Sequence, residues 1–426
     1  MHEKNILASP VSRAIGYILL TAITVAGFWA IGDKLVEGPI NEGTNQNVTW
    51  GLWVALYVFF LGLSAGSFLI STLIYVFKVK QLEESGPTAL VQALGCLILG
   101  GMLIVLDAGH PERIYYVVLH FNPTSAMAYL GVFYNLYIAV VVVELYFALR
   151  PRIIGKIQSG DQPAWLYRFL SLGSRRLDAA SLARDGKWLM ILGIIGIPTA
   201  CIVHGGVGTI FALAKARASW VGPLFPFLFI VTALASGGAL LTLLIAAFGK
   251  MSGERKLALV GSLAQLTMGV LILHAVLIFL ELFVPSYSGT LAQVAGDDIK
   301  LYGSYSTFFW CVEVGLGIVI PLLLMALPAT RKRVGWLGLA GFLIVVGMLA
   351  ERIDMVVPAQ LTPFFAASVG AYNNVRYLYT YFPSTSDILV ALGVFALGIW
   401  MIVLAGKYLP LEVSPHKSAP EGGALS

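Results

Sequence analysis

The sequence predicts an all-α polytopic membrane protein with ten transmembrane helices. Spans 2–5 and 6–9 are expected to form two four-helix bundles, with one extra helix at each end. Three observations predict this. Hydrophobic residues make up 58% of the 426 positions and charged residues 12%, against about 25% charged in soluble domains; the mean hydropathy is +0.85. Ten stretches are each long enough to cross a bilayer, which takes roughly 20 apolar residues. Two of the stretches also resemble each other.

Span 1 covers 13–31. It is longer than a signal-peptide core, contains Trp29 and shows no small-residue cleavage site before the acidic loop, so it reads as a retained helix. Span 2 (51–77) carries Leu63-Ser64-Ala65-Gly66-Ser67-Phe68-Leu69-Ile70-Ser71. Span 3 (88–107) ends at Asp107, and Pro111 stops it there. Span 4 (124–149) contains Glu144, and span 5 (187–213) opens with Gly186-Lys187-Trp188-Leu189 and contains His204. Span 6 (223–248) carries Leu234-Ala235-Ser236-Gly237-Gly238-Ala239-Leu240-Leu241-Thr242, the counterpart of the span 2 segment. Closely spaced small residues let helix backbones approach. Span 7 (257–284) holds His274 and Glu281, two turns apart on one face. Span 8 (306–327) holds Glu313 near its start. Span 9 (334–357) opens with Val334-Gly335-Trp336-Leu337, like span 5, and closes with Glu351, Arg352 and Asp354. Aligning the two tryptophans sets His204 opposite Arg352. Span 10 covers 386–406. The repeat divides the sequence into 1–45, a first unit 46–214, a second unit 215–358, and 359–426.

Loop charge gives an orientation. With the N-terminus in the cytoplasm, 20 of the 27 Lys and Arg lie on the inner side, eight of them between Arg150 and Lys187; the others are Lys34, Arg113, Lys215, Arg217, Lys300, Arg352 and Arg376. This is the positive-inside bias, and it puts both termini in the cytoplasm of a cell inner membrane. The pI near 9.0 is thereby explained without nucleic acid; membrane lipid is the expected surrounding. The cytoplasmic loop 150–186 contains the aromatic and basic segment Ala164-Trp165-Leu166-Tyr167-Arg168-Phe169-Leu170, suited to a short helix in the head-group layer. Cys96, Cys201 and Cys311 fall in spans and form no metal or disulfide pattern. No nucleotide-hydrolysis motif occurs.

Seven ionisable groups lie inside the spans or at their ends: Asp107, His204, His274, Glu281, Glu313, Glu351 and Arg352. A charge near mid-bilayer costs roughly 2.5–3.5 kcal/mol on insertion scales. With Asp354, they gather toward the outer face, next to Asp107-Ala108-Gly109-His110-Pro111-Glu112-Arg113. Only Glu144 sits toward the inside. For each residue alone, the ordinary reading is an interhelical hydrogen bond or an interfacial side chain. Together they suggest a polar pocket at one face, fit for proton-coupled chemistry or a small polar head group. His204 and His274 lie at similar depth, and bis-histidine haem ligation is chemically open, although no second pair accompanies them. A secondary transporter and a structural anchor remain as other classes.

Trp50-Gly51-Leu52-Trp53-Val54-Ala55-Leu56-Tyr57, with Gly62-Leu63-Ser64-Ala65-Gly66-Ser67 after it, resembles the first core helix of the NrfD/PsrC family. These are the polysulfide-reductase-like integral membrane subunits of respiratory complexes. Asp107–Arg113 followed by Asn122-Pro123-Thr124-Ser125 resembles that family's next signature. Tyr381-Phe382-Pro383-Ser384 and Leu409-Pro410-Leu411 resemble its ten-helix branch. The resemblance covers about residues 45–410. It implies two four-helix bundles and a menaquinone site near the outer face. It implies a periplasmic ferredoxin-like iron–sulfur partner, with a multihaem cytochrome c or molybdopterin subunit beyond, and no haem or iron–sulfur cluster in this chain. On that basis Asp107, His110 and Arg113 are the expected catalytic groups. Tyr57, Asn122, Ser125, His274, Glu281 and Arg352 are expected to help bind quinone. Glu144, His204, Glu313, Glu351 and Asp354 are expected on a proton path. The sequence departs from the family in two places: relatives carry polar quinone ligands where Val54 and Tyr57 stand, and Arg where His110 stands.

Overall fold

The computed structural model describes residues 10–251, 253–288, 291–363 and 377–411. Ten helices are long and apolar enough to cross a membrane. We number them α1 (Pro10–Glu37), α2 (Leu52–Tyr75), α3 (Gly86–Asp107), α4 (Ala126–Gln158), α5 (Ala179–Ala212), α6 (Phe225–Phe248), α7 (Gly253–Ser288), α8 (Phe308–Ala326), α9 (Val334–Val356) and α10 (Thr385–Tyr408). No strand occurs among the described residues. Every span expected from hydropathy is present, so the protein is an all-α polytopic membrane protein.

Local chemistry sets several helix ends. Ser125 caps α4 by accepting from the Ala128 amide. Ser384 and Asp387 form a reciprocal capping box at the start of α10, which satisfies two otherwise unpaired amides. The stretch Phe308–Val319 of α8 is wound as a π-helix, a form that recurs at functional sites.

Packing follows the small residues. In the first group α2 packs on α3 and α5, α3 on α4, and α4 on α5. In the second, α6 packs on α7 and α9, and α9 on α8. The groups meet chiefly through α2 and α6, and the two repeated segments lie at that contact. A Cβ added to Gly66 would lie 3.0 Å from the Gly237 Cα, so neither position has room for a side chain. A second close approach, at Gly27 and Gly393, joins α1 to α10. That pair rests against α3 and α2.

One end of the bundle, here called the basic end, carries Arg150, Lys250 and Arg331; Asp107 and His110 mark the distal end. At the basic end α4 and α5 run further than hydropathy predicts, into the stretch expected as the loop 150–186. Proximity of the two helices explains the extension. Arg150 is buried and pairs with Asp185 across them, while its remaining N–H groups donate to Ser174 at 2.8 Å, Ser181 at 2.8 Å and the Arg176 carbonyl at 2.9 Å. Arg150 is therefore a structural clasp and not a solvated loop charge. Asp185 also corrects the expectation that Glu144 is the only acid buried on this side. The expected short helix is present as Ala164–Leu170, with Tyr167 packed on Leu149 and Ile153. Removing one partner of a buried ion pair costs roughly 3–5 kcal/mol. Arg150→Ala should therefore lower the melting temperature of the purified protein sharply, and Arg150→Ala with Asp185→Ala should recover part of the loss; equal melting of wild type and single variant would disprove the clasp.

At the distal end the loop between α7 and α8 contains an unanticipated helix, Leu291–Leu301. Lys34 and Lys300, counted above as outer loop charges, are buried at 5% and 7% exposure. Lys4, Arg376 and Lys417 of that count lie outside the described residues.

Candidate functional site

The ionisable residues that share a depth in the sequence separate into two groups in space. The first surrounds Asp107 at the distal ends of α1, α3 and α10. Asp107 is half-buried and lies within electrostatic reach of Lys34 and Asp387. Lys34 descends from α1, pairs with Glu42 and stands 5.5 Å from the Trp53 ring centre, inside cation–π range. Asp387 accepts from the amides of Gly43 and Ser384, both at 2.9 Å. The Leu52 amide donates to the Tyr381 hydroxyl at 2.7 Å, which fixes the start of α2; burial raises the Tyr381 phenol above its usual range. Gln360 fixes the same entry, accepting from the Thr49 and Trp50 amides at 3.0 and 3.1 Å and donating to the Trp50 carbonyl at 2.7 Å.

His110 and Arg113 lie outside this enclosed group. Their side chains are 66% and 61% exposed, and both turn to Glu112, at 3.1 and 3.5 Å. Asn122 accepts from the amide and hydroxyl of Thr124, and Ser125 caps α4, so both side chains serve the turn between α3 and α4. Tyr57 is buried in the core of α2.

The second group lies where α7, α8 and α9 end, under the helix Leu291–Leu301. His274 Nε2 is 3.6 Å from Glu351, and Glu351 is 3.5 Å from Arg352. Arg352 donates to Thr232 of α6 and sits over the Phe229 ring at 4.7 Å. Lys300 Nζ reaches Asp354 at 3.2 Å and Glu313 at 3.9 Å. Burial opposes its charge, yet Glu313, Asp354 and Glu281 together hold the ammonium well above the ordinary lysine range. Glu281, Asp297, Lys300 and Asp354 line a small cavity that also touches Trp220. Burial first, and then the neighbouring Glu281 carboxylate, push Asp297 up to about 7. His204 of α5 approaches this group from the first bundle; its ring centre is 5.6 Å from that of Phe229, so His204 and Arg352 flank one aromatic ring. The alignment that set His204 opposite Arg352 thus corresponds to real proximity.

A polar seam runs toward the basic end. Ser64, Ser67 and Ser71 share a face of α2. Ser64 meets the Tyr137 hydroxyl at 3.5 Å, Gln92 donates to Ser67 at 2.5 Å, and Ser71 donates to Glu144 at 3.1 Å. Glu144 is fully buried, and its second oxygen has no hydrogen-bond partner among the described residues.

Sequence reasoning missed Lys34, Lys300, Gln360, Tyr381 and Asp387. A signal existed for two of them. Ser384-Thr385-Ser386-Asp387 has capping-box spacing, and Leu291–Leu301 is amphipathic, which for Lys300 pointed to a docked helix rather than a loop. Among the described residues no cluster of three or more His, Cys, Asp or Glu side chains is arranged to hold a metal ion.

A family model described as "Polysulphide reductase, NrfD" matches residues 41–364. A selenate reductase subunit of Mesobacillus selenatarsenatis is 33% identical over 407 residues, spanning 94% of both sequences. The "Hdr-like menaquinol oxidoreductase integral membrane subunit" of Archaeoglobus fulgidus is 26% identical, spanning 95% of this protein and 94% of that one. A polysulfide reductase membrane relative from Wolinella succinogenes is 27% identical, spanning 74% of this protein and 95% of that one.

Proposed function

Since the protein belongs to the NrfD polysulphide reductase family, we propose that it is the quinone-reactive membrane subunit of a respiratory oxidoreductase complex. Its substrate is menaquinol or menaquinone, and the head group sits at the distal end beside Asp107. The basic end faces the cytoplasm of the inner membrane. A partner with iron–sulfur clusters docks at the distal, periplasmic end and exchanges electrons with the bound quinone. The family relatives named for reductase and menaquinol oxidoreductase complexes support this reading.

The observation that carries it is the half-buried Asp107 within reach of the buried Lys34. A quinol gives up two protons and two electrons. Asp107 accepts a proton from a ring hydroxyl, and the Lys34 ammonium donates a hydrogen bond to the oxygen left behind. His110 and Arg113, exposed one turn beyond, pass the proton on to water; a histidine can do so near neutral pH. Tyr57 borders the head group from α2. Electrons leave through the partner, because neither Asp107 nor its neighbours can carry them.

The test is Asp107→Asn, with Lys34→Gln as companion, assayed in native membranes. Losing one hydrogen bond to a buried group costs about 1–3 kcal/mol, so quinol-dependent turnover should fall by roughly one to two powers of ten. Turnover of the partner with a soluble electron donor should stay normal. Full quinol activity in both assembled variants would move the site elsewhere. Orientation is checked separately: reporter fusions after Ser426 and in the 285–305 loop should report opposite sides.

A further inference from the structure

Around the helix Leu291–Leu301 charge and geometry do not balance. Five carboxyl groups, Glu281, Asp297, Glu313, Glu351 and Asp354, share this region with two permanent cations, Lys300 and Arg352. Arg352 is engaged by Glu351. Lys300 alone faces Glu313 and Asp354, and none of their four oxygens has a hydrogen-bond partner among the described residues. Uncompensated negative charge in an apolar interior is costly. Bound protons are the simplest counter-charge. The arrangement is built: Lys300 is stacked over Phe309 at 4.9 Å, Glu313 projects from the π-wound part of α8, and Asp297 shares the small cavity with Glu281 and Asp354.

We propose that the helix Leu291–Leu301 completes a proton-binding site at the distal end of the second bundle. Glu281, Glu313 and Asp354 share protons around the fixed ammonium of Lys300, and Asp297 passes them to the surrounding water. Lys300 acts as a positioning residue: its charge sets how many protons the three carboxyls hold together. One proton entering from His274 or Glu351 displaces one toward Asp297, so charge within the site is unchanged at each passage. As the outlet of a proton path the site rests on the proton-coupled reading above; as a proton-binding site it stands on its own geometry.

The experiment uses the full-length protein in lipid nanodiscs and reads the infrared absorption of protonated carboxyl groups across a pH series, in H2O and after transfer to D2O. The wild type should show a buried carboxyl band that Glu313→Gln and Asp354→Asn each diminish. Lys300→Met should raise the band at neutral pH by about one carboxyl, since one fixed positive charge is replaced by one bound proton, and Lys300→Arg should restore the wild-type amplitude. Asp297→Asn should leave the amplitude alone and slow its exchange with D2O by about a hundredfold, the usual scale for losing a proton-transfer group. If Lys300→Met fails to fold, Asp297→Asn and Lys300→Arg still decide. A band that ignores Glu313, Asp354 and Lys300, or an exchange rate that ignores Asp297, overturns the proposal. Asp107→Asn serves as the control: it should abolish quinol turnover and keep this band, so a failure of the quinone assignment is seen separately.

Discussion

Glu144→Gln should leave quinol oxidation nearly intact and abolish the membrane potential that accompanies it. Glu144 sits in the half of the bundle nearest the basic end, fully buried, with one oxygen held by Ser71 and the other unpartnered among the described residues. Asp185, the other acid buried there, is tied to Arg150 and is not free to relay. From Glu144 the hydroxyls of Ser71, Ser67, Ser64 and Tyr137 lead up α2 toward His204, whose Cε1 would lie 3.4 Å from a Cβ at Gly62. Beyond His204 stand Arg352, Glu351 and His274. Glutamine keeps the shape and the Ser71 hydrogen bond but cannot release a proton. Removing a proton-transfer group costs about two powers of ten or more in the step it serves. Potential generation in proteoliposomes should fall by that factor while turnover under uncoupled conditions changes little. Normal potential with normal turnover would make Glu144 a packing residue.

How far the sequence led depends on which forces act locally. The ten helices were readable because a bilayer demands about 20 apolar residues per span, and that constraint is written in the sequence itself. Leu63–Ser71 and Leu234–Thr242 were readable as an interface because close approach at Gly66 and Gly237 demands small residues. Depth was readable from topology, which placed His204 and Arg352 at one level. Azimuth was not. Nothing local says that Asp107 turns toward Lys34 of α1 while Glu281 turns toward Lys300, so one ring of polar residues in the sequence became two groups in space. The buried lysines were misread for a related reason. Lys34 and Lys300 lie at the edges of apolar segments, where loop charge and tethered counter-ion look alike until the helices are packed.

Arg352→Met should damage both stability and turnover, and the double variant Arg352→Met with Glu351→Gln should recover stability alone. Arg352 is buried at 2% exposure and joins three helices: it pairs with Glu351 on its own α9, donates to Thr232 of α6, and covers Phe229 of α6, against which His204 of α5 also packs. Methionine fills much of the same volume, so the principal loss is charge. The single substitution leaves Glu351 buried with His274 as its nearest partner. Breaking a buried pair in this way costs roughly 3–5 kcal/mol, whereas removing both charges is often close to neutral. Thermal melting of the four members of the cycle should therefore show a coupling of about 1–3 kcal/mol, the range expected for residues in one network. Turnover behaves differently under the proton-path reading. The double variant has lost the acid that links His204 to His274, so proton-coupled activity should stay low even when the helices melt normally. Recovery of both properties in the double variant would reduce Arg352 and Glu351 to a structural pair and place the proton route outside them. Recovery of neither would mean that the contact with Thr232 and Phe229, more than the pairing with Glu351, is what holds α9 against α6.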